Sequence, residues 1–230
     1  MLTLDDLHLA QGSFTLSADW STGPGLTAVI GPSGGGKSTL LSAIAGFLAA
    51  TRGRVLHDGQ DLGPMPPGQR PVSVLFQDNN LFPHLTIAQN IGLALRPDLR
   101  LNAAQLARVD GVLAEVGLAG FGPRKPAALS GGQQGRAALA RALLADRPVV
   151  LLDEPFAALG PAHRAEMLAL LRRMLAGRIV LMVTHDPDEA RREADRVVLV
   201  AEGRAAAPVA TDQLFADPPE ALRAYLGSEV

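Results

Sequence analysis

The sequence predicts an α/β fold with a mostly parallel core sheet, an N-terminal antiparallel β part and a helical insert. Three observations lead there. The first twenty residues alternate apolar and polar side chains in two runs separated by a glycine turn. Short apolar runs then recur along the chain with helical stretches between them. From residue 78 to about 147 the strand pattern stops, and apolar residues return at helical spacing instead.

Taken in order, Leu2–Leu9 and Phe14–Trp20 read as an antiparallel pair joined at Gly12-Ser13. Leu26–Ile30 reads as a buried strand, followed by a glycine-rich loop and a helix from about Lys37 to Phe47. Val55–His57 forms a short strand ending at the Asp58-Gly59 turn, and Val72–Phe76 is an apolar strand entered from the Pro64–Pro71 loop. In the insert, Leu106, Val109, Leu113 and Val116 share one helical face, and Ser130 opens a second helix through Leu144. Strands resume at Val149–Asp153, Ile179–Thr184 and Val197–Val200. The helix between the first two runs from Pro161 to Ala176, with Met167, Leu171, Met174 and Leu175 on one face and Gly177 as its stop.

Composition narrows the functional classes. At 230 residues the chain is long enough for one large domain, and 47% apolar with 19% charged residues describes a well-filled core. Apolar runs such as Val149–Leu152 and Ile179–Val183 hold four and five residues, far from the roughly 20 that a membrane span needs. Asp5 and Asp6 interrupt the start, so no secretory leader is expected and the chain should stay in the cytoplasm. A net charge of −2 gives no electrostatic case for nucleic acid as a partner. The absence of cysteine excludes a disulfide framework and a thiolate nucleophile.

Gly31-Pro32-Ser33-Gly34-Gly35-Gly36-Lys37-Ser38 fits G-x-x-x-x-G-K-[ST], with a strand before it and a helix after. Glycines let backbone N–H groups approach phosphate oxygens with no Cβ in the way. The helix N-terminus adds partial positive charge toward the same oxygens. Lys37 is placed to reach the β- and γ-phosphates of a bound nucleotide, and the Ser38 hydroxyl to ligate Mg²⁺. A glycine turn that happens to precede a lysine would match in roughly one chain of this length per hundred, before the strand–helix context is required. Lysine usage sharpens the case. The chain has 19 arginines and only two lysines, and one lysine stands here, where a compact ammonium cannot be exchanged for a planar guanidinium.

Further polar groups fall at the ends of predicted strands, where ligands of open α/β sheets bind. Val149–Leu152 runs into Asp153 and Glu154. Asp153 is placed to hold Mg²⁺, and Glu154 to orient and deprotonate an attacking water. Alone, this is also the pattern of a solvated acidic turn; beside a phosphate loop it points to chemistry. Gln77 ends one strand and His185 another, and His185 can reach the γ-phosphate and the attacking water. His8, His57, His84 and His163 lack that placement and are read as structural.

Leu129-Ser130-Gly131-Gly132-Gln133 supplies a second helix N-terminus with exposed N–H groups, although a simple cap would need no more than Ser-Gly-Gly. At this point the sequence closely resembles the ABC ATPases. The phosphate loop, Gln77, the Ser130 signature, Asp153-Glu154 and His185 stand in that family's order and spacing, over nearly all of the chain. The resemblance implies a P-loop NTPase fold: one ABC ATPase domain over 1–230, with a helical subdomain at 78–147 inserted in a RecA-like core. It implies ATP and Mg²⁺ as cofactors. Glu154, His185, Gln77 and Lys37 would act in catalysis, and Ser38, Gln77 and Asp153 at the metal. Gly31 to Ser38, Thr39, Gln77, Ser130, Gly131, Gly132, Gln133 and His185 would bind the nucleotide.

A head-to-tail homodimer is implied too, each ATP lying between Lys37 of one subunit and Ser130, Gly131 and Gly132 of the other. The segment Asn79–Leu85 exposes Leu81 and Phe82 as a docking surface for a membrane permease. The run Leu75–Leu85 and the short C-terminus after Val200 look like the ATPase of bacterial importers of thiamine or thiamine pyrophosphate. That narrower resemblance adds an external solute-binding protein and a peripheral position on the cytoplasmic face of the bacterial inner membrane. The alternatives are importers of molybdate, sulfate, polyamines or iron, and a soluble ABC ATPase outside transport. A nucleotide kinase would leave the Ser130 signature unexplained.

Three positions depart from the family. Leu9-Ala10-Gln11 has no aromatic where one normally stacks on adenine, with Phe14 as the nearest substitute. Ala157-Ala158-Leu159 leads to Gly160 where the family has an aspartate that links the two nucleotide sites. Gly135 stands one turn into the signature helix, at a cost of roughly 1 kcal/mol against alanine.

Overall fold

The computed structural model describes residues 1–78, 80–157 and 159–227. The chain divides into two compact units: Met1–Val72 with Pro148–Asp153 and everything from Gly177 onward, and Ser73–Arg147 with Glu154–Ala176.

The first unit is built on β1 (Leu2–Gln11), β2 (Phe14–Thr22), β3 (Gly25–Ile30), α1 (Lys37–Ala45), β4 (Arg52–His57) and β5 (Gln60–Asp61). β6 (Val72–Leu75) carries the chain into the second unit, which holds α2 (Ile87–Gly92), α3 (Ala103–Glu115) and α4 (Gly131–Leu144). The chain returns through β7 (Val149–Asp153), leaves for α5 (Pro161–Met174), and comes back with β8 (Ile179–Val183). It ends with α6 (Pro187–Glu193), β9 (Arg196–Ala201), β10 (Arg204–Ala205), β11 (Val209–Ala210), α7 (Thr211–Ala216) and α8 (Glu220–Gly227).

Within the first unit the strand order is β5-β4-β1-β2-β10-β9-β3-β8-β7, with β11 paired to β9. β9, β3, β8 and β7 run parallel, and β5, β4, β1 and β2 form the antiparallel part. The mixed sheet matches the predicted class. One detail was hidden in the sequence: Leu2, Leu4, Leu7 and Leu9 do not alternate strictly, since two aspartates separate Leu4 from Leu7. The register of β1 shifts there, and Asp6 adopts φ 46°. That bulge absorbs the extra residue, so all four leucines are buried on one face.

In the second unit α4 touches α2, α3 and α5. A helix with neighbours on several sides must be apolar nearly all round, and α4 buries Ala137–Ala140 and Ala142–Leu144. Helices α2, α3 and α4 each open on a reciprocal capping box, Thr86 with Gln89, Asn102 with Gln105 and Ser130 with Gln133. α3 differs from its expected face. Val109 and Leu113 are buried with Val112, Val116 is the buried C-cap residue, but Leu106 is exposed. α5 stops at Met174, three residues short of Gly177, and buries Leu168 and Leu170 beside Met167 and Leu171. No helix among the described residues is long and apolar enough to cross a membrane.

Candidate functional site

Three neighbouring parallel strands bring the first unit's polar groups to one edge of the sheet. β8 lies between β3 and β7, with Val183 opposite both Val29 and Asp153. The phosphate loop leaves β3 at Gly31, Asp153 ends β7, and His185 follows β8 by two residues with its side chain exposed. Sequence order alone could not give this adjacency, because the three segments lie more than a hundred residues apart at their extremes.

The loop itself is held by contacts on both sides. Gly31 has φ 142°, and a Cβ there would stand 2.0 Å from the Val200 carbonyl oxygen of β9. Glycine is therefore demanded at this position by the neighbouring strand as well as by any phosphate. Gly36 is the N-cap of α1 in the left-handed region, with no side-chain cap. A Cβ on Gly36 would meet Phe14 at 2.5 Å. The Phe14 ring thus rests against the loop, while Gln11, Gly12 and Ser13 are exposed. Lys37 is only 8% exposed, and its ammonium donates to the Gly31 carbonyl at 2.7 Å and the Pro32 carbonyl at 3.0 Å. The Ser38 hydroxyl donates to Asp153 Oδ1 at 3.2 Å, which joins the loop to the end of β7.

The far end of α1 is fixed by a residue that the sequence did not single out. Arg70 is buried, and its guanidinium donates to the carbonyls of Ala43 (2.8 Å), Ile44 (2.9 Å) and Met65 (3.1 Å). Burial pushes its pKa below the ordinary arginine value, with the nearby Asp61 charge acting in the opposite direction. A cation at a helix C-terminus satisfies orphan carbonyls and opposes the helix dipole.

Other predicted residues belong to the second unit. Gln77 lies in an exposed turn after β6, which ends at Leu75 and not at Phe76 as expected. Ser130 N-caps α4. Its hydroxyl accepts from the Gln133 N–H at 3.4 Å, and the Gln133 side chain accepts from the Ser130 N–H at 3.0 Å. Capping uses the hydroxyl oxygen as an acceptor, and its proton remains available for donation. Glu154 has φ 46°, a backbone conformation uncommon for a side chain of its size. The loop behind it is tied by Arg164, which donates to the Ala157 and Leu159 carbonyls at 3.1 and 3.3 Å. Gly160 is the N-cap of α5, with no side-chain cap. Gly135 is buried within α4.

The segment expected to dock a partner shows Phe82 at 47% exposure, whereas Leu81 is half-buried, against the expectation that both project. His84, read as structural, is exposed and stands edge-on to Phe82 with ring centres 5.9 Å apart. Fully buried Asn90 pins this segment. Its amide accepts from the Phe82 N–H at 2.6 Å and donates to the carbonyls of Phe82, Leu85 and Thr86. A buried asparagine leaves no signal in a single sequence, although the Thr86-x-x-Gln89 box beside it does. Asn79 of this segment and Ala158 of the loop before Gly160 lie outside the described residues.

Residues 15–157 match the ABC transporter family. The chain belongs to it.

Relatives of this ABC cassette cover it almost end to end. It is 65% identical over 230 residues to the thiamine import ATP-binding protein ThiQ of Cereibacter sphaeroides, spanning 99% of this chain and 100% of that one. The protein of the same name from a Ruegeria species is 56% identical over 231 residues, with coverage of 99% and 100%. Among solved structures, a dimeric ATP-binding cassette in a post-hydrolysis state with ADP and Pi matches at TM-score 0.76 and 29% identity. That match covers 92% of this chain and 99% of the other.

The cassette's residues fit a nucleoside triphosphate with magnesium. The N-terminus of α1 has no side-chain cap and no carboxylate in its first turn, and a buried ammonium stands beside it. Ser38 and Asp153 are hard oxygen donors already in contact, the donor set that Mg²⁺ takes together with phosphate oxygens and water. Among the described residues no group of three His, Cys, Asp or Glu side chains is able to hold a metal ion by itself.

Proposed function

We propose that this cassette hydrolyses ATP to energise a bacterial importer of thiamine or thiamine phosphates. The observation that carries the ATP part is the junction of Lys37, Ser38 and Asp153 at the carboxyl edge of the parallel sheet. Full-length identity of 65% to a thiamine import ATP-binding protein supports the solute.

In this reading the N–H groups from Gly31 to Thr39 bind the phosphates, and Lys37 neutralises charge between the β- and γ-positions. Ser38, Asp153 and Gln77 would hold Mg²⁺, which would supply positive charge against the phosphate oxygens. Glu154 accepts the proton of the attacking water, a contribution of about 10² to 10⁴ in rate. His185 hydrogen-bonds the γ-phosphate and that water. Ser130, Gly131, Gly132 and Gln133 complete the site from the second subunit of a homodimer, so the γ-phosphate bridges the two chains and its loss lets them separate. Residues 1–230 act as one ATPase domain with 78–147 as its helical subdomain.

The pinned, exposed Phe82 and its neighbour His84 are the contact offered to a permease. The cassette then sits peripherally on the cytoplasmic face of the inner membrane as one part of a translocase, with a solute-binding protein on the far side. ATP hydrolysis is measured on the cassette reconstituted with its permease, with and without thiamine-loaded binding protein. Stimulation by the loaded protein is the expected result. Stimulation by a sulfate-, molybdate-, polyamine- or iron-loaded protein in its place would overturn thiamine and leave the ATPase.

A further inference from the structure

The turn that carries His185 is fastened by residues that no motif contains. Thr184 is buried at the end of β8, and its N–H donates to the Val29 carbonyl of β3 at 3.3 Å. The Thr184 hydroxyl donates to the buried Glu189 carboxylate. With its proton so directed, the same oxygen accepts from the Asp186 N–H at 3.1 Å. Asp186 in turn N-caps α6, accepting from the N–H groups of Asp188 and Glu189 at 2.9 and 3.1 Å. On the other side, the Tyr225 hydroxyl of α8 donates to the His185 carbonyl at 2.9 Å across forty residues of chain. Tyr225 is 8% exposed and Leu222, one turn earlier, is fully buried.

The carbonyl of His185 and the N–H of Asp186 belong to one peptide unit. That planar group is therefore held at both ends, its oxygen by Tyr225 and its N–H by Thr184. Fixing the plane fixes ψ of His185, and with it the direction in which the exposed imidazole leaves the backbone. Packing alone would be met by phenylalanine; the hydroxyl adds the clamp.

We propose that Tyr225 is a positioning residue for hydrolysis, through which the C-terminal helix α8 sets the imidazole of His185. The proposal rests on His185 acting at the γ-phosphate, as proposed above.

The test measures ATP hydrolysis by the full chain for Tyr225→Phe, His185→Ala and the double variant. Tyr225→Phe keeps the ring and removes the clamp. It should lower kcat about two- to tenfold, the range of one hydrogen bond expressed as rate, with KM for ATP unchanged within about twofold. In the His185→Ala background it should have no further effect, because residues acting through one group are not additive. Thr184→Val frees the other end of the same peptide and should lower kcat in the same range, whereas Thr184→Ser should restore it. Parent kcat in Tyr225→Phe, a change confined to KM, or full multiplication of its effect with that of His185→Ala would overturn the proposal. Parent activity in His185→Ala would instead overturn the reading of His185 itself, whatever Tyr225→Phe does.

Discussion

At the scale of single residues, two glycines in one motif are required for different reasons. Gly31 has a strand carbonyl 2.0 Å from where its Cβ would be, whereas Gly34, at φ 76°, has nothing within 4 Å. Gly31→Ala must move β9 or the loop and should cost about 3 kcal/mol. Gly34→Ala should cost only the left-handed backbone penalty of about 1 kcal/mol. Urea denaturation midpoints of the two variants check this, and equal losses would contradict it. The sequence made the glycines and Lys37 readable because they form a local pattern with its own chemistry. It did not separate Gly31 from Gly34, since the atom that distinguishes them sits on Val200, far along the chain. Asn90 and Arg70 stayed hidden for the same reason: each satisfies backbone carbonyls whose positions only the fold supplies.

At the scale of elements, the phosphate-loop helix is secured at both ends, by Lys37 folding onto the loop at its start and Arg70 at its close. Arg70→Met keeps most of the buried stem but leaves the Ala43 and Ile44 carbonyls without their charged donor. The expected loss is about 2 to 3 kcal/mol of stability in chemical denaturation, and a loss within 0.5 kcal/mol would show that water replaces the guanidinium. Element type was legible wherever periodicity was long or a cap was explicit. Ser130 predicted the start of α4 as an N-cap, and the cap observed is a reciprocal box with Gln133. Short elements escaped. α2 and α6 are six and seven residues long, below the length at which apolar spacing is informative. β10, β11, α7 and α8 follow Val200, where Pro208, Pro218 and Pro219 interrupt any period and the chain reads as a short tail.

For the whole molecule, the parallel strands were legible but their order was not. Five motifs in family order identified an ATP-binding cassette, yet only the β3-β8-β7 adjacency places the phosphate loop, Asp153 and the His185 turn at one edge. No sequence motif links the C-terminal helix α8 to His185; the Tyr225 hydroxyl does.

Glu154 is proposed above as the base of an ATP site completed by a second copy of the chain. The Glu154→Gln variant, followed for ATP hydrolysis and, by light scattering, for association, checks both parts. Hydrolysis should fall at least about hundredfold, with ATP alone holding the variant as a dimer that Ser130→Arg prevents. A Glu154→Gln variant that hydrolyses ATP at the parent rate and stays monomeric would contradict the proposal.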